Sequence, residues 1–96
     1  MWTSHSKGKM LHYRLSDQRI KTAIHSPQRT ELGVAPRTIA VMKRNDTQKR
    51  KEEIWVMYQK SGSKKKIISV WRYPGISPKR AVPLPEGLLE ELHLLD

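Results

Sequence analysis

The chain lacks cysteine and is poor in apolar residues, and both shortages narrow what it can be. Without cysteine, neither disulfides nor thiolate zinc sites are available. Apolar residues make up 36% of its 96 residues, which is below the usual share and allows one small core. No apolar run approaches the ~20 residues of a membrane span, and residues 1–10 hold no stretch typical of a signal peptide. We expect a single cytoplasmic domain over residues 1–96, with no membrane partner.

The sequence also lacks the motifs of metal- and nucleotide-dependent enzymes. It has no phosphate-binding glycine loop, no HExxH and no paired carboxylates, and its acids are scattered. The four histidines show no ligand spacing: His5, His12, His25 and His93. We therefore expect no metal and no cofactor. The remaining possibility is metal-independent chemistry with His, Lys, Arg, Tyr and Ser.

Acidic residues are scarce in most of the chain. All 19 lysines and arginines lie within residues 1–80, with five acids, for a net charge of +14 there. Residues 81–96 carry four acids and no base, for a net charge of −4. Such an excess of positive charge attracts polyanions, and nucleic acid fits better than an anionic membrane because no basic amphipathic helix with a broad apolar face is present.

A β-hairpin is the clearest structural signal. Two runs rich in β-branched and aromatic residues, 54–58 and 67–71, flank the turn 61–63 with Gly62 at its centre. We expect the two strands at about 52–60 and 64–73. A third strand at 38–42 comes before them, and short connections favour an antiparallel meander. The segment 28–36 is typical of a loop or a short edge strand.

Helices are expected on both sides of these strands in the sequence. A first helix is predicted over 5–14, although Gly8 weakens it. A second is predicted over 17–25, with Ser16 as N-cap, Leu15 packing on Ile20, and Pro27 ending it. The proline-rich segment 76–85 should run extended, before a short C-terminal helix over 86–95. The fold class is therefore α+β: two N-terminal helices packed on a curved antiparallel sheet of three to four strands, with a short C-terminal helix.

Strand periodicity indicates that both faces of the sheet are largely apolar. Ile54, Val56 and Tyr58 alternate with Trp55 and Met57 along one strand. Because a sheet with one solvated face would not need this pattern, we expect helices on one face. The other face is expected to be a semi-exposed groove lined by aromatic residues.

Two sets of residues are candidates for catalysis. His5 and Lys9 have the i, i+4 spacing that places both on one helix face. Arg72 and Tyr73 close the second hairpin strand, where a cation needs an anionic partner. The alternatives are a solvated helix with incidental charges for the first set, and for Arg72 an ion pair with Glu52 or Glu53 across the hairpin. Further residues are candidates for RNA contact: Tyr13, Arg14, Lys43, Arg44, Lys64, Lys65, Lys66, Ser69, Lys79 and Arg80. A satisfied sheet serine is the alternative for Ser69, and a solvated hairpin end is the alternative for the three consecutive lysines.

The order of motifs resembles a family of short uncharacterised microbial proteins. The matching stretches are His5-xxx-Lys9-Met10-xx-Tyr13-x-Leu15-Ser16-xx-Arg19-Ile20, Pro27-x-Arg29, residues 38–42, 53–58 and 67–75. That family is similar to RelE/BrnT-like toxins and to the wider barnase, EndoU, colicin and RelE group of ribonucleases. The resemblance implies two helices on a curved sheet with the active site on its open concave face. It also implies that His5, Lys9, Arg72 and Tyr73 are of the residue types that such sites use.

These observations predict a small metal-independent ribonuclease of toxin type, with the ribosome as one site of action. In this hypothesis His5 transfers protons, Lys9 and Arg72 stabilise the phosphorane, and Tyr73 positions a base or assists proton transfer. Two alternatives remain open on the same scaffold. One is a non-catalytic RNA- or ribosome-binding module, and the other is a protein-interaction domain paired with an acidic antitoxin-like partner. The chain is expected to be a monomer or a homodimer.

Overall fold

The computed structural model describes residues 2–85, 87 and 88 of the chain. It contains two helices followed by four strands, which confirms the α+β class. No helix in this described part is long and apolar enough to cross a membrane. The predicted C-terminal helix over 86–95 lies outside the described residues, apart from the two positions 87 and 88.

Helix α1 spans Ser4–Tyr13 and is fixed at its start by a reciprocal cap. The Ser6 amide donates to Thr3 Oγ1 at 3.0 Å, and the Thr3 amide donates to Ser6 Oγ at 3.0 Å. This arrangement satisfies two amides that would otherwise lack partners at the helix terminus. The helix ends where Arg14 takes a left-handed conformation with φ 56°. Both ends therefore differ by one residue from the predicted 5–14.

Helix α2 spans Asp17–His25, which are the bounds predicted from the sequence. Ser16 Oγ accepts a hydrogen bond from the Arg19 amide at 3.2 Å, as an N-cap does. Leu15 and Ile20 are both buried in the same apolar cluster, so the expected contact across the helix start is present. The agreement follows from local signals at both ends of this helix.

The four strands form one antiparallel sheet in the order β1-β2-β3-β4. They span Arg29–Leu32, Thr38–Arg44, Glu52–Ser61 and Lys64–Pro74. The segment 28–36, for which loop and edge strand were both open, contains β1 at the sheet edge. Gly62 turns the β3–β4 hairpin with φ 63°, a conformation that favours glycine. A register irregularity between Met57 and Tyr58 interrupts the otherwise regular β3–β4 pairing.

One face of the sheet is covered by the two helices. Buried residues of β2, β3 and β4 there, including Val41, Val56 and Val70, pack with Ile20 and Ala23 of α2. We call this the helix face. It matches the expectation that helices cover one side of the sheet.

The opposite face is also closed, and the expectation of a semi-exposed aromatic groove is wrong. Trp55 and Met57 are 0% exposed and Trp71 is 1% exposed. The two indoles lie opposite each other in the β3–β4 register and stack with ring centroids 6.2 Å apart. Val82 and the buried Leu88 pack against them. The chain after β4 therefore covers what we call the tryptophan face.

Candidate functional site

Helix α1 is attached along the outer edge of β4, and this attachment positions His5. Trp2 forms an isolated parallel bridge with Ile67. The Thr3 amide and hydroxyl both donate to the Ile67 carbonyl oxygen, at 3.4 and 2.8 Å. Because the cap that starts α1 is itself bonded to β4, the first helical turn has a fixed place on the sheet.

The first turn brings His5 into contact with Ser69 of β4. His5 Nε2 and Ser69 Oγ share a hydrogen bond at 3.2 Å, across 64 positions of sequence. Ser69 is 1% exposed, whereas His5 is half-buried. The bond fixes the direction of the imidazole ring and satisfies a hydroxyl that would be costly to bury alone. Ser69 therefore has the satisfied environment that its alternative interpretation expected, and its partner is a predicted site residue.

Lys9 lies one helical turn beyond His5 and is half-buried like it. The i, i+4 spacing places the two side chains on one side of α1, as the sequence predicts. His12 is exposed, and its ring meets the Tyr13 ring edge to face at 4.7 Å. Imidazole, hydroxyl and ammonium groups thus lie along one side of α1, beside β4.

Arg72 is engaged at the other end of α1. Its Nε donates to the Tyr13 carbonyl at 2.7 Å, its Nη2 donates to the Arg14 carbonyl at 3.3 Å, and its Nη1 bonds Glu52. Tyr13 is eight residues from His5, which corresponds to about 12 Å along a helix axis. The structure therefore does not bring Arg72 to His5. The pairing with Glu52 is the alternative that the sequence left open for this arginine.

Tyr73 is paired with Glu53 in the sheet and packs half-buried against the tryptophan-face cluster. Consecutive strand residues point to opposite faces, so Tyr73 and Arg72 diverge. Of the four predicted catalytic residues, His5 and Lys9 lie close together on α1. Arg72 and Tyr73 do not join them.

The predicted RNA-contacting residues fall into an exposed group and an engaged group. The exposed members are Arg14, Lys64, Lys66, Lys79 and Arg80. Lys65 lies over the Tyr58 ring, with Nζ 5.6 Å from the centroid, and Lys43 Nζ donates to the Ser26 carbonyl at 2.9 Å. Tyr13 packs against both apolar clusters. The exposed members present their charge directly to solvent.

Arg44 belongs to a buried polar group that the sequence analysis missed. Its guanidinium donates to Glu53 at 2.9 Å, to the Gly75 carbonyl at 3.1 Å, and to both carboxylate oxygens of Asp46. The bidentate bond from Arg44 is the largest influence on Asp46, and it lowers the pKa of that carboxyl. Arg44 is thus committed to structure more than the other predicted RNA contacts.

Glu53 is the centre of this group and is 0% exposed. Its carboxylate accepts hydrogen bonds from the Ser77 hydroxyl at 2.6 Å, the Ser77 amide at 3.0 Å and Trp55 Nε1 at 2.9 Å. Burial acts to raise the pKa of Glu53, but the Ser77 and Trp55 hydrogen bonds and the charge of Arg44 outweigh it, and the pKa is lowered. The carboxylate therefore stays charged beneath the chain that follows β4.

Arg29 completes the group from β1. It donates to Ser77 Oγ at 2.6 Å and to the carbonyls of Pro78 and Ala81 at 3.0 Å each. Its guanidinium also lies over the Trp55 ring, 5.1 Å from the centroid. We call Arg29, Arg44, Glu53 and Ser77 the clasp. A signal for it existed in the sequence, since Glu53 alternates with Trp55 and Met57 and so had to point to an apolar face.

The described residues include no group of three or more His, Cys, Asp or Glu side chains that could hold a metal ion. The site therefore consists of His5, Ser69 and Lys9 beside β4, on a chain with a large excess of positive charge. No protein-family model, curated protein or solved structure matches the chain. The resemblance to RelE/BrnT-like toxins accordingly stays an expectation from the sequence.

Proposed function

We propose that the protein binds RNA and cleaves it without a metal ion, with His5 as the proton-transferring group. The observation that carries this proposal is the bond between His5 Nε2 and Ser69 Oγ at 3.2 Å. A second residue that fixes the imidazole ring is typical of histidines that act as general bases. Ser69 is the positioning residue in this proposal, and Lys9 supplies positive charge one turn away.

The proposed reaction uses the nucleophile that RNA already contains. His5 accepts the proton of the 2′-hydroxyl, and the 2′ oxygen forms a bond to phosphorus. The bond between phosphorus and the 5′ oxygen breaks, and that oxygen takes a proton from water. Lys9 stabilises the negative charge that develops on the phosphoryl oxygens. The products are a 2′,3′-cyclic phosphate and a 5′-hydroxyl, so neither oxidant nor metal is required.

The net charge of +10 is the reason for choosing RNA as the substrate. Neutralising phosphates with lysine and arginine releases counterions and supplies most of the affinity of non-specific nucleic-acid binding. DNA would bind through the same charges. It lacks the 2′-hydroxyl, however, and this chemistry would leave it uncut.

The test is incubation of the purified protein with labelled RNA in EDTA, with the ends of the products analysed. We expect cyclic-phosphate ends from the wild type, and a loss of about 10²–10⁴-fold in rate for His5→Ala. His12→Ala is the matched control, because it removes an exposed histidine from the same helix. Equal rates for His5→Ala and the wild type would contradict the proposed mechanism.

A non-catalytic RNA-binding module is the second candidate, and the position of Arg72 favours it. The guanidinium predicted to stabilise the phosphorane is bonded to Glu52 and to two carbonyls at the end of α1. Salt-dependent RNA binding with no product in EDTA, for wild type and His5→Ala alike, would select this candidate.

A further inference from the structure

Helix α2 carries a basic surface that the sequence analysis did not assign to RNA. Two shallow depressions border this helix and share Gln18. One is lined by Lys21, His25 and Lys65 among others, and the second by Arg19 and Lys43 among others. No acidic residue is among the described residues that line either one. We call these five cationic side chains the α2 surface.

Neighbouring groups fix the positions of several of these cations. Lys43 Nζ donates to the Ser26 carbonyl at the end of α2, and Arg19 bonds the Asn45 side chain. Lys65 lies over the Tyr58 ring. Asp17, the one acid of α2, lines a different depression beside Trp2 and Leu11. The positive charges are therefore grouped and partly preorganised, with no acid between them in the two depressions.

An RNA backbone fits this surface better than a lipid bilayer. A helix that lies in a membrane interface presents large apolar side chains to the bilayer. The exposed large apolar residues in the described part of the chain are Leu11, Leu32, Val34, Ile76 and Leu84. None of them is on α2, so the surface offers charge without an apolar anchor.

The aromatic residues that would stack on bases are also not on this surface. Trp55 and Trp71 are buried on the tryptophan face, and the described α2 surface has only the half-buried His25 neighbour Ile24 as an apolar contribution. Contacts limited to phosphates hold a strand without reading its bases. Binding through such a surface is expected to be independent of sequence and steeply dependent on salt.

We propose that the α2 surface is the phosphate-binding track of the protein, with Lys21, His25 and Lys65 at its centre. This proposal rests on the proposed function, since RNA is taken as the polyanion. The hairpin lysine Lys65 connects the track to β4, on which Ser69 and His5 lie four residues further on, about 13 Å along a strand. A strand held on α2 thus has a short path to the His5 site.

The test compares two charge-matched variants. Lys21→Ala/Lys65→Ala removes two cations from the track, and Lys49→Ala/Lys51→Ala removes two exposed cations from the β2–β3 loop. Both change the formal net charge from +10 to +8. The probe is a fluorescent 2′-O-methyl RNA oligonucleotide, which cannot be cut by this chemistry, and its anisotropy is measured over a series of KCl concentrations.

We expect the slope of log K against log [KCl] to fall by about 1.4 for the track variant, from two lost phosphate contacts on a single strand. The loop variant should keep the wild-type slope, and Lys21→Arg/Lys65→Arg should restore it. Equal slopes for the track and loop variants would overturn the track. A wild type that does not bind the probe would instead refute the proposed function, and binding of anionic vesicles but not of RNA would refute both.

Discussion

The two faces of the sheet are both closed, but by different kinds of chain. Two capped helices cover the helix face, where α2 packs Ile20 and Ala23 on the strands. The tryptophan face is covered by the segment that follows β4, which has no regular secondary structure between 76 and 85. The difference teaches that an irregular cover needs polar attachment that a helical cover does not.

The physical reason is the backbone. A helix satisfies its own amides and carbonyls, so it can cover a face with apolar side chains alone. An irregular segment has no such internal pairing, and its backbone groups require partners from elsewhere. The clasp supplies them, because Arg29 and Arg44 bind the carbonyls of Gly75, Pro78 and Ala81 while Glu53 binds the Ser77 amide.

The largest expected effect comes from Glu53→Ala, which removes the centre of the clasp. Breaking a buried charge pair costs about 3–5 kcal/mol, since the remaining partners lose their hydrogen bonds. Glu52→Ala is the matched control: Glu52 bonds Arg72 and Asn45 but is partly exposed, and we expect about 1–2 kcal/mol. Urea unfolding measures both. Equal losses would remove the distinction between the two faces.

A smaller effect is expected from acid. A carboxylate with a lowered pKa contributes stability that is present above its ordinary pKa of about 4.3 and lost as pH falls through the lowered value. Glu53 is such a group, so the urea midpoint of the wild type should drop as pH falls below about 4. Glu53→Gln should start lower and drop less over the same range. A drop of the same size in this variant would show that Glu53 is not responsible.

Local signals were enough to predict α2 and the hairpin. The Ser16 cap, the Leu15–Ile20 contact and Pro27 lie within or next to the helix they delimit, and Gly62 lies in the turn that it permits. The pairing of Arg72 with Glu52 was among the alternatives because the hairpin register brings the two residues close. Such features depend on residues near in sequence.

The path of the chain after β4 could not be predicted in the same way. Proline in the segment 76–85 indicates an extended chain but does not say which surface that chain follows. The clasp joins Glu53 to Ser77 and Arg29 to Ala81, across 24 and 52 positions. The contact of His5 with Ser69 is equally non-local. Without it, spacing alone joined Arg72 and Tyr73 to a site from which the structure separates Arg72.

The most direct test of this account is where RNA contacts the protein in solution. Amide and indole NMR signals of the ¹⁵N-labelled His5→Ala variant can be followed as RNA is added, without cleavage. We expect shifts on α2, at Lys65 and at Ser69, whereas the indole signals of Trp55 and Trp71 should stay in place beneath their cover. If those two indole signals shift most and α2 does not respond, RNA binds the tryptophan face and the account is wrong.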